Sequence, residues 1–232
     1  MLHRLLEALV AFFRKDKNYK LDSRYSLVDI LLILKYRCMQ LLRGLYIKVF
    51  IKSEGSVFCG RSVTVEYGYN IRAGASLILD DYVSINALST NGVVFGRNVS
   101  IGKGTIIVCT GVIKNKGVGL CMGDYSSVGA QSFLGCQGGV KIGSNVIIGP
   151  SFKVFSENHK YDDKIAIRLQ GEVRKGVRVG DDCWFGANVT LLDGVTVGDG
   201  CVIAAGSVVN KSVLPGSIIA GVPAKLVKRR FS

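Results

Sequence analysis

From Cys59 to about residue 209 an apolar residue returns at six-residue intervals. It is followed at once by Gly or another small residue, with a small or β-branched residue at the fifth place of the unit. Five consecutive units, starting at Val179, Phe185, Leu191, Val197 and Ile203, keep the period, with Leu192 after Leu191 as the one departure from a small second residue. Earlier units start at Phe95 and Ile101, at Met122, Val128 and Leu134, and at Ile142 and Ile148, while Cys59 to Val65 and Ile71 opens the series less regularly. Alternation by two would mark half-buried strands and a period of 3.6 a helix. A six-residue period instead marks a parallel β-helix, in which three short strands make one triangular coil with the apolar residue inward and Gly or Asn at positive-φ corners. The expected fold is all-β: a left-handed parallel β-helix over residues 55–232 with an N-terminal α-helical extension over residues 1–54.

Coils stack like neighbouring strands, about 4.8 Å apart. Residues eighteen apart are therefore predicted to lie above one another, as with Val179 and Val197, Val189 and Ser207, and Cys183 and Cys201. Both of these cysteines fall at the inward fifth place and read as small buried hydrophobes rather than a disulfide. The period breaks between Ile107 and Met122 and again between Val154 and Val177, the second being the longest aperiodic insertion. Loops that leave a rigid scaffold are where function concentrates.

Residues 1–52 show helical spacing instead, with one apolar stripe at Leu2, Leu5, Leu6, Leu9 and Phe13 and another at Leu27, Leu31, Leu34, Cys38, Leu41, Leu45 and Val49. Lys35, Arg37, Arg43 and Lys48 make the second a poor membrane span. Two readings stay open: the stripes cap the solenoid's open end, as solenoids generally require, or they lie on an anionic bilayer. Both can hold.

Charge sharpens this picture. The 232 residues carry 30 Lys plus Arg against 17 Asp plus Glu, a net +13. The excess sits at the two ends, in residues 1–54 and in a tail with Lys211, Lys225, Lys228, Arg229 and Arg230. No nucleic-acid motif accompanies it, which ranks nucleic acid last among anionic partners. Seven cysteines without a CxxC pair, and two histidines, give no zinc pattern, so no metal is expected. The apolar run Leu5 to Phe13 is interrupted by Glu7, is followed by Arg14, Lys15, Asp16 and Lys17, and lacks a small-residue cleavage site, so it is not read as a secretory signal. A cytoplasmic location with reduced thiols is expected, with peripheral contact at the inner face of the membrane if the helices bind lipid.

The long insertion holds His159 between Glu157 and Asp162. Histidine is the side chain most easily poised as a general base near neutral pH. Together the hexapeptides, Ser156-Glu157-Asn158-His159, Trp184-Phe185-Gly186-Ala187-Asn188-Val189, Ala204-Ala205-Gly206-Ser207-Val208-Val209-Asn210-Lys211 and Gly221-Val222-Pro223-Ala224-Lys225 resemble the left-handed β-helix acyltransferases. The likeness is to the maltose/galactoside acetyltransferase branch and to O-acetyltransferases of surface-polysaccharide assembly, and covers roughly residues 55–230.

The resemblance implies a homotrimer with active sites between neighbouring solenoids, acetyl-CoA as co-substrate and a sugar hydroxyl as acceptor. His159 takes the catalytic position, with Glu157 or a nearby carbonyl orienting its ring and the backbone N–H of Gly186 or Ala187 holding the oxyanion. Asn86 falls near the acceptor-contacting asparagine. Ala187, Ala205 and Gly206 would line the pantetheine arm, Trp184 would wall the cleft or join a trimer contact, and Lys211, Pro223, Lys225, Arg229 or Arg230 would meet the adenine and phosphates. The residues themselves leave ordinary packing open for Ala205 and Gly206, and a solvated terminus for Arg229 and Arg230.

N-acylation of an amino sugar on a nucleotide carrier is the nearest rival. A zinc carbonic anhydrase of the same solenoid class fails for want of histidines beyond His3 and His159, and a non-catalytic scaffold would need neither the loop histidine nor the 221–225 segment. Cys109 or Cys136 as a nucleophile competes poorly with burial in a strand.

Overall fold

In the computed structural model, which describes residues 2–14, 20–22 and 24–230, the chain is a left-handed parallel β-helix behind an N-terminal helical extension. Its three faces are parallel sheets of seven, eight and seven strands among the described residues, the second extended by the antiparallel strand Ala224–Arg229, and as far as Val209 the coils visit them in rotation, each adding one strand to each face. We call them the first, second and third face in the order the chain visits them. The inward column is the predicted one. Phe95, Met122, Ile142, Val179 and Val197 line the first face; Ile101, Val128, Ile148, Phe185 and Ile203 the second; and Ile107, Leu134, Val154, Leu191 and Val209 the third, all buried.

Two expectations need correction. The eighteen-residue register holds only near the C-terminal end, where Val179 pairs with Val197 and Thr190 with Val208. Earlier coils are longer: Val57 lies opposite Leu77 and Ser127 opposite Ile147, twenty residues apart. The chain keeps its six-residue step across the first two corners, as from Met122 to Val128 to Leu134, and takes the surplus at the corner from the third face back to the first, as from Leu134 to Ile142. Both long insertions leave from that same corner.

The glycine that follows most inward residues of the first and second faces, moreover, is not the positive-φ residue. At Gly186 a Cβ would sit 2.6 Å from the amide nitrogen of Ala205, so this glycine allows one coil to seat on the next. Positive φ falls two residues later, where Asn98, Tyr125, Gln131, Asn145, Ser151, Asp182 and Asn188 stand as well as glycines. Asn and Asp tolerate this region best, and a single residue at each corner bears the cost.

Cys183 and Cys201 are buried, free thiols as expected, and burial pushes Cys183 up to about 11. Helix α1 (Leu2–Arg14) packs on helix α2 (Leu27–Ile47), burying Leu6. Ser26 and Asp29 close α2's N-terminus as a capping box. Helix α2 covers the first coil by burying Ile30, Gln40, Gly44 and Ile47, with the Arg37 guanidinium 5.9 Å from the centre of the Phe58 ring. This is not the predicted stripe, because Leu27, Leu31, Leu45 and Val49 are exposed. Helix α2 is apolar around most of its circumference, so periodicity could not choose a face. Gly44, which has no side chain to hold the helix off Val57, chose it. The side chains of Leu2, Leu5 and Phe13, and residues 15–17, lie outside the described residues.

Candidate functional site

The two insertions at the third corner hold each other. The longer one forms a small antiparallel ladder, Asn158–His159 against Glu172–Val173, which places His159 opposite Glu172 and leaves the imidazole exposed. Between these strands lies the short helix α3 (Ile167–Gln170). At the ladder's base the buried Ser156 hydroxyl donates to the carbonyl of Gly135 at 2.8 Å and accepts from the Gly138 N–H at 2.9 Å. Arg174 Nε donates to Glu157 Oε2 at 2.7 Å, and its Nη1 donates to the carbonyls of Asn115 and Lys116 in the shorter insertion. Asn115 Nδ2 in turn donates to Glu172 Oε2 at 2.8 Å. A guanidinium shared between a carboxylate and two carbonyls fixes both loops by planar, charge-assisted geometry.

The Glu157 carboxylate is engaged by Arg174, and the residue opposite His159 across the ladder is Glu172. Sequence reasoning missed Glu172 because twelve aperiodic residues separate it from His159. Only closure of the hairpin brings them together. Under the hairpin, Cys109 and Cys136 are wholly buried, which excludes them as accessible nucleophiles.

A second group gathers at the other end of the third face, at its corner with the second. Ala187, Ala205 and Gly206 are exposed there on successive coils, joined by a Gly206 N–H bond to the Ala187 carbonyl at 2.9 Å. The turn at Gly221 and Pro223 lies on the next layer, tied by the Gly221 N–H to the Ser207 hydroxyl at 3.2 Å, and Lys225 leaves it opposite Ala220. The Gly186 N–H is committed to the Ile203 carbonyl at 2.8 Å, which removes it as an oxyanion donor and leaves Ala187 of the two. Trp184 stands outward on the second face in register with Ile147 and Val202, 55% exposed.

The remaining candidates separate from these groups. Lys211 follows the last third-face strand, at the His159 end. Arg229 bonds the Pro215 carbonyl and the Ser217 hydroxyl, and Arg230 pairs with Asp182 at 2.8 Å, so both belong to the fold at the corner of the first and second faces. A solvated terminus is thus not their state. Asn86 shares the His159 corner but lies three coils away through Val108, Gly135 and Phe155, about 14 Å along the axis at strand spacing. Its amide donates to Glu66 at 2.7 Å. No cluster of metal-ligating side chains occurs among the described residues.

Comparison with known proteins agrees with this architecture. Residues 176–211 match the model of the bacterial transferase hexapeptide, six repeats. That stretch is similar to the hexapeptide-repeat transferases. Along most of its length, 90% of this chain and 93% of the relative, it is 26% identical to a putative lipopolysaccharide-biosynthesis O-acetyltransferase of Escherichia coli K12. It is 36% identical to the galactoside O-acetyltransferase of that organism over 38% of this chain and 43% of the relative. With a probable acetyltransferase of Mycobacterium tuberculosis it shares 34% identity over 58% of this chain and 43% of the relative. The match thus spans less than half the length of these last two relatives. Among solved structures, an N-acyltransferase from Bacillus cereus, in complex with dTDP and 3-hydroxybutyryl-CoA, superposes with a TM-score of 0.52. That match has 18% identity, covers 81% of this chain and 88% of the other, and bears on the hexapeptide-repeat fold alone.

Proposed function

We propose that this hexapeptide-repeat chain is an acetyl-CoA-dependent O-acetyltransferase acting on a sugar hydroxyl in surface-polysaccharide assembly. The observation that carries the reading is the placement of the two halves of the site. His159 leaves one end of the third face, and the small-residue edge of Ala187, Ala205 and Gly206 forms the other. One face is about five extended residues wide, on the order of 15 Å, so the halves meet when the His159 corner of one copy faces the opposite corner of the next. Repetition of that contact closes a ring when the rotation between neighbours permits, and three copies is the number we propose for it.

In that cleft the His159 imidazole takes the proton of the acceptor hydroxyl as its oxygen attacks the thioester carbonyl. The C–O bond forms, the C–S bond breaks, and the proton returns to the departing CoA thiolate. The Ala187 N–H is the candidate donor to the oxyanion. Small side chains at Ala205 and Gly206 let the pantetheine arm lie against main chain, and Lys225 beside them offers a cation to its phosphates. Helix α2 adds a location. Its outward Leu31, Leu42, Leu45 and Tyr46 are exposed, and Lys35 and Lys48 lie on the same helix and its C-cap. No helix among the described residues is long and apolar enough to cross a membrane, so peripheral contact with an anionic bilayer suits this face.

Release of free CoA is measured with acetyl-CoA and a panel of neutral, acidic and nucleotide-linked sugars, alongside His159→Ala. Turnover on hydroxyl acceptors that is lost in the variant is expected. Unchanged turnover in the variant refutes the role of His159, and turnover on an amino sugar alone makes the enzyme an N-acetyltransferase. Flotation with phosphatidylserine vesicles tests the bilayer contact. Leu31→Glu/Leu42→Glu is expected to abolish it, and absent flotation of the parent chain reduces α2 to a cap.

A further inference from the structure

The outward column of the first face is cationic where it passes the catalytic hairpin. Its three-residue strands bury their outer positions and expose the middle one, so Val94, Cys121, Lys141 and Arg178 stack on successive coils, Lys141 directly opposite Arg178. Lys175 stands beside them at the corner, between the returning strand of the His159 hairpin and the first-face strand Val177–Val179. These side chains line an open trench of about 360 Å³ along the solenoid axis. Its corner wall is bare backbone at Gly92, Gly119, Gly139 and Gly176.

Like charges directly opposite in a sheet are destabilising, and none of these three cations forms an ion pair with a carboxylate among the described residues. Asp193 accepts instead from the backbone N–H groups of Lys175 and Gly176. Glu157 and Glu172 are engaged by Arg174 and Asn115. Asp193 and Glu172 keep their charges against neutral donors, and the three cations of the trench outnumber them, so positive charge is left in excess at the mouth of the hairpin.

We propose that this trench binds the anionic part of a saccharide and leads the chain to His159, which makes the acceptor an acidic sugar polymer or its repeat unit. The groove runs along one direction with cations spaced by the coil, which fits a linear chain better than a compact anion. The inference deepens the acyl-transfer reading and rests on it for the reaction, but binding is measurable without turnover.

The test uses the full chain with two fluorescein-labelled probes of equal length, a galacturonic acid oligosaccharide and a neutral malto-oligosaccharide, followed by anisotropy at low and physiological salt. Salt-sensitive binding of the acidic probe alone is expected, with protection of the exposed Cys121 against alkylation. Lys141→Gln/Arg178→Gln is expected to weaken it about tenfold or more, as loss of charge-assisted contacts implies, with a melting temperature no lower than the parent's, since the opposed charges are gone, and no displacement of probe by CoA. Where turnover is measured, KM for an acidic acceptor rises while kcat and KM for acetyl-CoA stay. Equal binding of both probes, an unaffected double variant, or displacement by CoA, which would assign these cations to the donor, each overturns the proposal. Probe binding without any CoA release would overturn the acyl-transfer reading and leave the trench standing.

Discussion

Removing the Arg174 guanidinium separates the hairpin's order from the solenoid's stability. Arg174→Met keeps most of the aliphatic bulk but deletes the bond to Glu157 and the two to the carbonyls of Asn115 and Lys116. The two side chains of the pair are only 19% and 23% exposed, so solvent screens it less than a surface pair. Hydrogen bonds to charged groups contribute about 1.5–3 kcal/mol each, and loss of one such bond alone raises the open population of the hairpin roughly 10- to 150-fold. These bonds join residues of the two insertions and none of the buried inward column, so the melting temperature should stay within about 2 °C. Hydrogen exchange by mass spectrometry reads both: amides over residues 156–174 exchange at least about tenfold faster, and those of the coils do not. CoA release should fall in step, and Glu157→Gln should act in the same direction without moving the pH profile of kcat, because Glu157 holds the loop rather than the imidazole. Unchanged exchange over the hairpin, or a pH profile altered by Glu157→Gln, refutes this reasoning.

Further outcomes follow from the coil. Leu134→Ala removes a wholly buried inward side chain and should cost about 2–5 kcal/mol, read from urea midpoints, with a KM for acetyl-CoA close to that of the parent. Cys59 and Cys183 are each pushed up to about 11 by burial. A thiol whose folded value exceeds its unfolded one contributes stability that is complete below about 8.5 and lost as pH rises toward 11, so the urea midpoint should fall across that window. Replacing both cysteines by Ala should flatten the fall, and a midpoint that declines equally in that variant contradicts the assignment.

The parts of this molecule written in a period were legible, and those set by a meeting of distant segments were not. The six-residue rhythm gave the inward column from Phe95 to Val209 because burial repeats with the coil. It did not give the twenty-residue coils, since the surplus collects at one corner where no buried residue marks the step. His159 stood out as a rare residue type in an aperiodic loop. The clamp of Arg174 on Glu157 and the approach of Glu172 depend on tertiary closure of two insertions, which no spacing encodes. Likewise Arg229 and Arg230 looked like a free tail because their partners, Ser217 and Asp182, lie on other layers. The face chosen by α2 was hidden for the opposite reason, an excess of apolar positions.

The composite site is tested most directly by subunit complementation. His159→Ala abolishes the base, and Ala205→Trp blocks the small-residue edge at the opposite corner. Each variant alone is expected to be inactive. Mixed in equal amounts under conditions that exchange subunits, the two should regain about one quarter of parental CoA release, since about one interface in four then carries an intact histidine from one copy and an intact edge from the next. Mixed assemblies that form, verified by mass, yet stay as inactive as their parents would contradict a site shared between copies.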